Sequence, residues 1–219
     1  MSRHLQSCKA RAQQDGQVSA ATGKLESIYH AKVVSYSPFW LHIEMSSSRK
    51  LSDLDHFLKA IWLECCGHMS EFEIGEKRYS VFEGYDSMWE EKPNSMNVAL
   101  NKVLGLKDRF NYDYDFGSTT SLSGQVIGER MGVLKDKVKI LARNQSPEIP
   151  CSHCNNAAAN FCPYCEESFC QECSEAEEHE EKCGVEADEL LPVVNSPRLG
   201  GCAYMGDSDP DTFGLADSV

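Results

Sequence analysis

The chain lacks long apolar runs, and this limits where it can reside. No stretch approaches the roughly 20 apolar residues that a membrane-spanning helix needs. The opening residues, MSRHLQSCKARAQQDGQ, have no apolar core of the kind found in signal peptides. We therefore expect no membrane segment and an intracellular, cytoplasmic protein whose cysteines are reduced.

Basic residues are also few. The 219 residues include 21 Lys and Arg against 34 Asp and Glu, which gives a formal net charge of −13. Nucleic-acid affinity comes mostly from basic side chains that neutralise phosphates, and anionic membranes attract the same side chains. The charge, with no dense Lys/Arg cluster, argues against nucleic acid and membrane surfaces as partners.

Cysteine is sparse except in one short block. Of the 11 cysteines, only Cys8, Cys65, Cys66 and Cys202 lie outside residues 151–183. The block contains four ligand pairs: Cys151 and Cys154, Cys162 and Cys165, Cys170 and Cys173, and His179 and Cys183. Two residues between cysteines let both thiolates reach one tetrahedral ion. A disulfide framework is the alternative, but it needs an oxidising compartment, so we predict two Zn²⁺ ions.

Two ligand arrangements are open. Sequential sites would use the first four ligands and then the last four. Interleaved sites would combine Cys151 and Cys154 with Cys170 and Cys173, and we favour them because cross-bracing ties a short segment at both ends. Four protein ligands leave no open position on zinc, so either arrangement predicts structural rather than catalytic ions.

The spacing of this block resembles cross-brace fingers of the MYND and B-box types, which are protein-interaction modules. The resemblance implies a protein partner. The block is rich in Glu from Glu166 to Glu181, with Lys182 as its only Lys or Arg. These glutamates indicate either a solvated face or a docking surface for a basic peptide.

The rest of the chain divides by composition and periodicity. We predict an α+β fold with a mixed or antiparallel sheet and two main helices, followed by the small zinc module. The predicted segments are a disordered tail at 1–26, the α+β domain at 27–144, the zinc module at 151–183, a return segment packing on the fold at 184–206, and an acidic disordered tail at 207–219.

Periodicity places the elements of the α+β domain. The two helices are expected at about 52–65, with a Ser52–Asp55 capping box, and near 97–104. On the strand at 110–116, Phe110, Tyr112, Tyr114 and Phe116 should share one face, with Asp113 and Asp115 on the other. The remaining strands are expected at 28–36, 39–45, 71–74, 77–82, 121–129 and 137–143.

Several strings together resemble one family. They are LSDLDHFLKAIW, GHMSEF, YDYDFG and the C-terminal LPVVNSPRLGGCAYMG. The chain resembles the Ri-plasmid ORF-three-like family, also called transposon-passenger or TnpR-like proteins, over about residues 28–206. The resemblance implies an α+β domain found on plasmids, transposons and bacterial or archaeal genomes, with no established activity. Where members have Asp and then Trp after YDFG, this chain has Ser118 and Thr120.

Candidate catalytic groups are weak by comparison. His68, Asp113 and Asp115, with Glu71, could converge in a groove as acid, base or metal ligands, although exposure on one strand face also explains the aspartates. Cys66 has His68 nearby, and Arg198 could bind a carboxylate. The sequence therefore predicts a zinc-binding adaptor of mobile-element or host-defence origin. The alternative is an enzyme acting on nucleic acid with a site near His68 and Asp115.

Overall fold

A computed structural model describes residues 2–9, 25–81, 92–176, 179, 183–202 and 204–206. The acidic tail predicted at 207–219 and most of the tail predicted at 1–26 lie outside these residues. Ser2–Ser7, within the predicted N-terminal tail, form a short helix, α1.

An eight-stranded sheet forms the main body of the described chain. Its order is β5-β4-β3-β6-β7-β1-β2-β8, and every neighbouring pair is antiparallel except β4 and β5. The sheet is thus mixed, as predicted. The strands are β1 Glu26–Val34, β2 Trp40–Ser46, β3 Ser70–Ile74, β4 Lys77–Ser80, β5 Asn94–Ser95, β6 Arg109–Tyr114, β7 Thr120–Gly132 and β8 Val138–Arg143.

One helix packs on this sheet. Helix α2 spans Leu51–Leu58 and continues as a π-helical turn over Lys59–Leu63. The apolar residues on one face of this helix, from Leu54 to Trp62, are buried in one core with Phe72 and Tyr112, and Cys65 packs against that core. No helix among the described residues is long and apolar enough to cross a membrane.

The predicted second helix is wrong. Only Leu100–Lys102 form a short 3₁₀ turn within 97–104. The backbone here pairs with the approach to α2 instead: Leu51 N–H donates to Val98 O at 2.8 Å, and Leu100 N–H donates to Arg49 O at 2.8 Å. These bonds hold the chain extended, so the fold is sheet with few helices and fits α+β only loosely.

The predicted capping box is also wrong. Asp53 performs the capping, since its Oδ2 accepts a hydrogen bond of 3.0 Å from Lys50 N–H. Asp55 is buried instead and accepts hydrogen bonds from the hydroxyls of Ser70 at 2.6 Å and Tyr112 at 2.8 Å. Asp55, which the sequence placed in a capping box, therefore joins α2 to β3 and β6.

Strand β6 shows how the core forms and where it ends. Phe110, Tyr112 and Tyr114 share one face as predicted, and that face is buried; Phe110 lies opposite Gly124 of β7. A Cβ on Gly124 would overlap the Phe110 ring, which explains a glycine in the middle of a strand. Phe116, however, is exposed, because the chain turns at Asp115 with a φ of 62°.

The C-terminal part has its own small sheet and core. Strand order is β10-β9-β11, and Cys162, Phe169, Val185 and Leu190 form the buried cluster. The elements are β9 Asn160–Phe161, β10 Ser168–Phe169, helix α3 Gln171–Ser174, a 3₁₀ turn at Ala187–Glu189 and β11 Leu191–Pro192.

The segment after β11 lies against the large sheet and α2. Ser196 Oγ donates to Trp62 O at 2.6 Å, and the Tyr36 hydroxyl donates to Pro197 O at 3.2 Å. The amides of Asn144 and Asn195 bond at 2.7 Å. These contacts hold residues 195–198 on the larger unit while β11 pairs with β9 of the smaller one.

Candidate metal centres

The eight predicted ligands lie in two compact groups. One group is Cys151, Cys154, Cys170 and Cys173, and the other is Cys162, Cys165, His179 and Cys183. Within each group the donor atoms lie within 4.8 Å of one another. This is the interleaved arrangement.

Tight local turns bring each pair of ligands together. Cys162 and Cys165 flank the turn between β9 and β10, where Glu166 N–H donates to Cys162 O at 2.9 Å and Glu166 has a φ of 59°. Cys170 immediately precedes α3, and Cys173 lies within that helix. The Phe169 ring lies 4.4 Å from that of His179, centroid to centroid, which fixes the imidazole beside the second group.

The distances fit tetrahedral zinc. Zinc–sulfur bonds of about 2.3 Å give sulfur–sulfur edges of about 3.8 Å, and sulfur–nitrogen edges of about 3.6 Å. The observed Sγ–Sγ distances are 3.6 Å for Cys154–Cys170, 3.8 Å for Cys173–Cys154 and 3.7 Å for Cys162–Cys183. Cys165 Sγ lies 3.7 Å from His179 Nε2. A disulfide would need about 2.0 Å, so these cysteines are not joined and both groups could hold a metal ion.

Neighbouring thiols in the first group have pKa values that are shifted in opposite directions. Hydrogen bonding to Cys170, with burial, raises the pKa of Cys173 to about 12. Burial also acts to raise the pKa of Cys151, but backbone N–H donors at Cys170, His153 and Cys154 outweigh it and lower the value to about 6. A divalent cation at this group would displace the remaining thiol protons and offset the thiolate charge.

A third group, which the sequence did not predict, lies on the larger unit. It consists of Cys65, Cys66, His68 and Cys202, again with all donor atoms within 4.8 Å. Cys65 and His68 have two residues between them, but no two of its cysteines do, and Cys202 is distant in sequence. The only sequence signals were the adjacent cysteines before a histidine and a cysteine after paired glycines.

The predicted catalytic residues lie in two places in the structure: Asp113 is beside Glu71, and Asp115 is near His68. Asp113 is partly exposed on β6 and accepts a hydrogen bond of 2.6 Å from Ser121 Oγ, beside Glu71 on β3. Burial, with the negative charge of Asp113, raises the pKa of Glu71 above its usual range despite the opposing effect of Arg78. Asp115 is buried, which corrects the expectation that the two aspartates share an exposed face.

His68 and Asp115 do approach each other, but not as a catalytic relay. His68 Nε2 lies 3.0 Å from Cys66 Sγ, 3.1 Å from Cys202 Sγ and 3.5 Å from Asp115 Oδ2. A relay needs the nucleophile and the carboxylate on opposite ring nitrogens. All three neighbours here face one nitrogen, which is the geometry of a shared ligand site.

Asp115 pairs with Arg198. The sequence analysis expected Arg198 to bind a carboxylate without identifying it, and Asp115 supplies that group. Arg198 is buried, and its Nη2 donates to Asp115 Oδ2 at 2.5 Å while its guanidinium lies 5.0 Å from the Tyr114 ring centroid. Burial opposes ionisation of Asp115, but hydrogen bonds from Arg198, Ser118 and the Gly117 amide hold its pKa well below the usual range.

Part of the chain matches a known family. The model of the plasmid pRiA4b ORF-3-like protein family matches residues 33–123, whereas no curated protein matches the chain. A similar solved structure is the crystal structure of a protein of unknown function, MM3350, from Methanosarcina mazei Go1. It is 20% identical, with a TM-score of 0.49, over 55% of this chain and 71% of that one. Residues 33–123 are therefore similar to the plasmid pRiA4b ORF-3-like family, and the two groups at 151–183 lie outside the matched range.

Proposed function

We propose that this chain is a zinc-binding adaptor. Two structural Zn²⁺ ions shape residues 151–183, and this module docks a basic segment of a partner protein. The observation that carries the proposal is the grouping of eight donors into two complete sets of four. A zinc ion with four protein ligands has no position for water or substrate, so it stabilises the fold rather than performing chemistry.

The surface of the module has the charge that such docking needs. Glu166, Glu167, Glu172 and Glu175 are exposed, and residues 151–176 contain no Lys or Arg. Seven thiolates with two Zn²⁺ ions add roughly −3 by charge counting. This field attracts Lys and Arg side chains and repels phosphate.

An exposed aromatic ring supplies an anchor on the same surface. Tyr164 lies between the ligands Cys162 and Cys165, and 74% of it is exposed. Arginine stacks on tyrosine rings, and long basic side chains lay their apolar stems on such surfaces. A basic segment would therefore contact Tyr164 while its charges face Glu166 and Glu167.

The similarities to known zinc fingers and to a plasmid family support a role in protein interaction and a mobile-element or host-defence origin. The interleaved arrangement is shared with MYND and B-box fingers, which are interaction modules as families. The matched family is named for a plasmid protein, which supports a mobile-element or host-defence origin for this chain.

Binding to displayed peptides tests the adaptor proposal. The zinc-loaded full chain is screened against random peptides, and selected peptides are measured by fluorescence anisotropy. We expect enrichment of Lys- and Arg-rich sequences, with affinity that falls as salt rises. Tyr164→Ala and Glu166→Gln/Glu167→Gln should each weaken binding by about tenfold or more, as loss of an interface anchor does.

The matched control is Glu73→Gln, an exposed glutamate on β3 outside the module. It should bind the selected peptides as the unaltered chain does. Enrichment of neutral or acidic peptides, or equal binding by the Tyr164→Ala chain, would show that this surface does not dock basic segments.

The enzyme alternative has less support from the geometry. Asp115, its proposed carboxylate, is buried and already bonded to Arg198 and Ser118. His68 meets Cys66, Cys202 and Asp115 through one nitrogen. These residues are placed to bind and to stabilise rather than to transfer protons.

A further inference from the structure

The third group of metal-type side chains joins two distant parts of the chain. Cys65, Cys66 and His68 follow the π-helical end of α2, and Cys202 comes from the segment after β11. Cys66 and Cys202 are separated by 136 positions in sequence, yet their sulfurs lie 3.6 Å apart. Cys65 Sγ lies 3.7 Å from Cys66 Sγ.

These distances match those of the other two groups. The sulfur–sulfur separations of 3.6 and 3.7 Å equal the separations within the module, and none is a disulfide length. His68 Nε2 approaches Cys66 and Cys202 at 3.0 and 3.1 Å. Zinc would widen these contacts to about 3.6 Å, a shift that side-chain rotation provides.

The local backbone directs the four donors towards one point. Gly67 has a φ of 82°, and a Cβ there would meet nothing within 4 Å, so the glycine serves the turn between Cys66 and His68. Cys202 has a φ of 46°, which is unusual for a residue with a side chain. His68 N–H donates to the Tyr114 hydroxyl at 3.3 Å, and the His68 ring meets the Tyr114 ring edge-on.

The surroundings suit a thiolate-rich site. Three thiolates with one Zn²⁺ carry a net charge of −1 by counting, and the buried Arg198 places Nη2 3.6 Å from Cys65 Sγ. Donors to a ligand sulfur orient it and offset its charge. Asp115 is not needed as a ligand, because its Oδ2 accepts hydrogen bonds from Arg198 and Ser118.

We propose that Cys65, Cys66, His68 and Cys202 bind a third zinc ion, which fastens the segment after β11 to the end of α2. Three sulfur donors with one imidazole select zinc over magnesium or calcium, which prefer oxygen. The four protein ligands close the coordination sphere, so this ion is structural. None of these four ligands is buried, whereas each of the other two groups has two buried ligands, so the third ion exchanges with chelators faster than the other two.

Metal counting on the full chain tests this site. Protein purified under reducing conditions with zinc present should contain three zinc ions, measured by mass spectrometry under native conditions. Cys202→Ser and Cys66→Ser should each contain two. Cys8→Ser is the matched control, because Cys8 belongs to none of the groups found in the described part of the chain, and it should contain three.

A second variant keeps the test decisive if a serine variant folds poorly. Cys202→His retains a zinc ligand and should contain three ions. A chelator should remove the first of these ions at a rate that differs from the rate for the unaltered chain. Two zinc ions in the unaltered chain, or three in Cys202→Ser, would overturn the proposal. A mass loss that maps to a Cys66–Cys202 disulfide in the reduced preparation would also overturn it. The difference of one ion between the unaltered chain and Cys202→Ser reports on the third site alone, and it depends neither on the two ions of the module nor on peptide docking, so the two proposals fail independently.

Discussion

At the scale of single residues, Asp115 and Arg198 are the most consequential pair. Both are buried, and they lie 83 positions apart in sequence. Strand alternation placed Asp115 with Asp113 on a solvent face, but β6 ends at Tyr114 and the chain turns at Asp115. Periodicity describes a strand only while the strand continues, so the burial of Asp115 could not be predicted from it.

Replacing Asp115 by an amide should destabilise the protein markedly. The Asp115→Asn chain would leave the buried Arg198 without its carboxylate partner, and removal of one partner of a buried pair costs about 3 kcal/mol or more. Urea unfolding followed by fluorescence measures the change. Asp113→Asn, on the same strand but partly exposed, should cost less than about 1 kcal/mol. Equal costs for the two variants would contradict the buried pair.

The buried histidine pair predicts a pH dependence. His42 Nδ1 lies 3.0 Å from His30 Nε2. Burial, followed by the charges of His30 and Lys32, lowers the pKa of His42 from 6.5 to about 4. As pH falls from about 6.5 towards 4, the unfolded chain binds a proton that the folded chain does not, so stability declines over this window.

A substitution isolates this titration. Relative to His42→Gln, the unaltered chain should lose about 2 kcal/mol of stability between pH 7 and pH 4.5, measured by urea unfolding at each pH. The exposed His56→Gln chain should follow the unaltered chain. A stability difference between the unaltered chain and His42→Gln that stays constant with pH would show that His42 does not titrate as a buried neutral group.

At the scale of elements, residue periodicity predicted the helices and strands that form through contacts near in sequence. The helix at α2, the successive strands β3 and β4, and the shared face of Phe110, Tyr112 and Tyr114 on β6 agree with the sequence. The second helix failed because Val98 and Leu100 bond to the backbone of a distant segment. Such pairing depends on tertiary contacts that periodicity does not contain.

Cadmium substitution distinguishes the interleaved from the sequential arrangement. Each arrangement of residues 151–183 has one site with four sulfurs and one with three sulfurs and a nitrogen, and these give separate ¹¹³Cd resonances. An ion at Cys65, Cys66, His68 and Cys202 would add a second mixed signal, which Cys170→Ser and Cys162→Ser should leave unchanged. With interleaved sites, Cys170→Ser should change the four-sulfur signal and Cys162→Ser the mixed signal, because the structure places them in those groups. Sequential sites would give the reverse result, and Cys8→Ser should change neither signal.

At the scale of the whole molecule, the segment after β11 unites the two units. It pairs with β9 through Leu191 and Pro192, then inserts Ser196 and Arg198 against α2 and β6. The sequence indicated that a return segment packs on the fold but not what it contacts. The third ligand group was missed for the same reason, since Cys202 reaches Cys66 only through the fold.

Removing this segment should weaken the large sheet. A chain that ends after Pro192 keeps β11 but lacks Ser196 and Arg198, which leaves the buried Asp115 carboxylate without its cation. We expect its melting temperature to fall by roughly 10 °C, from a loss of about 3 to 5 kcal/mol. Calorimetry compares it with a chain that ends after Gly206, which should melt close to the unaltered protein. Equal melting of the two shortened chains would contradict this role.

The sheet order also governs how the protein forms as it is synthesised. Strand β1 pairs with β2 on one side and with β7 on the other, where Glu26 lies opposite Gly132. On the ribosome, β1 and β2 can form a hairpin early, but the other edge of β1 stays open until β7 has been translated. That nascent edge can pair with other chains. We therefore expect production to depend on chaperones that shield β1 until the second half of the chain emerges.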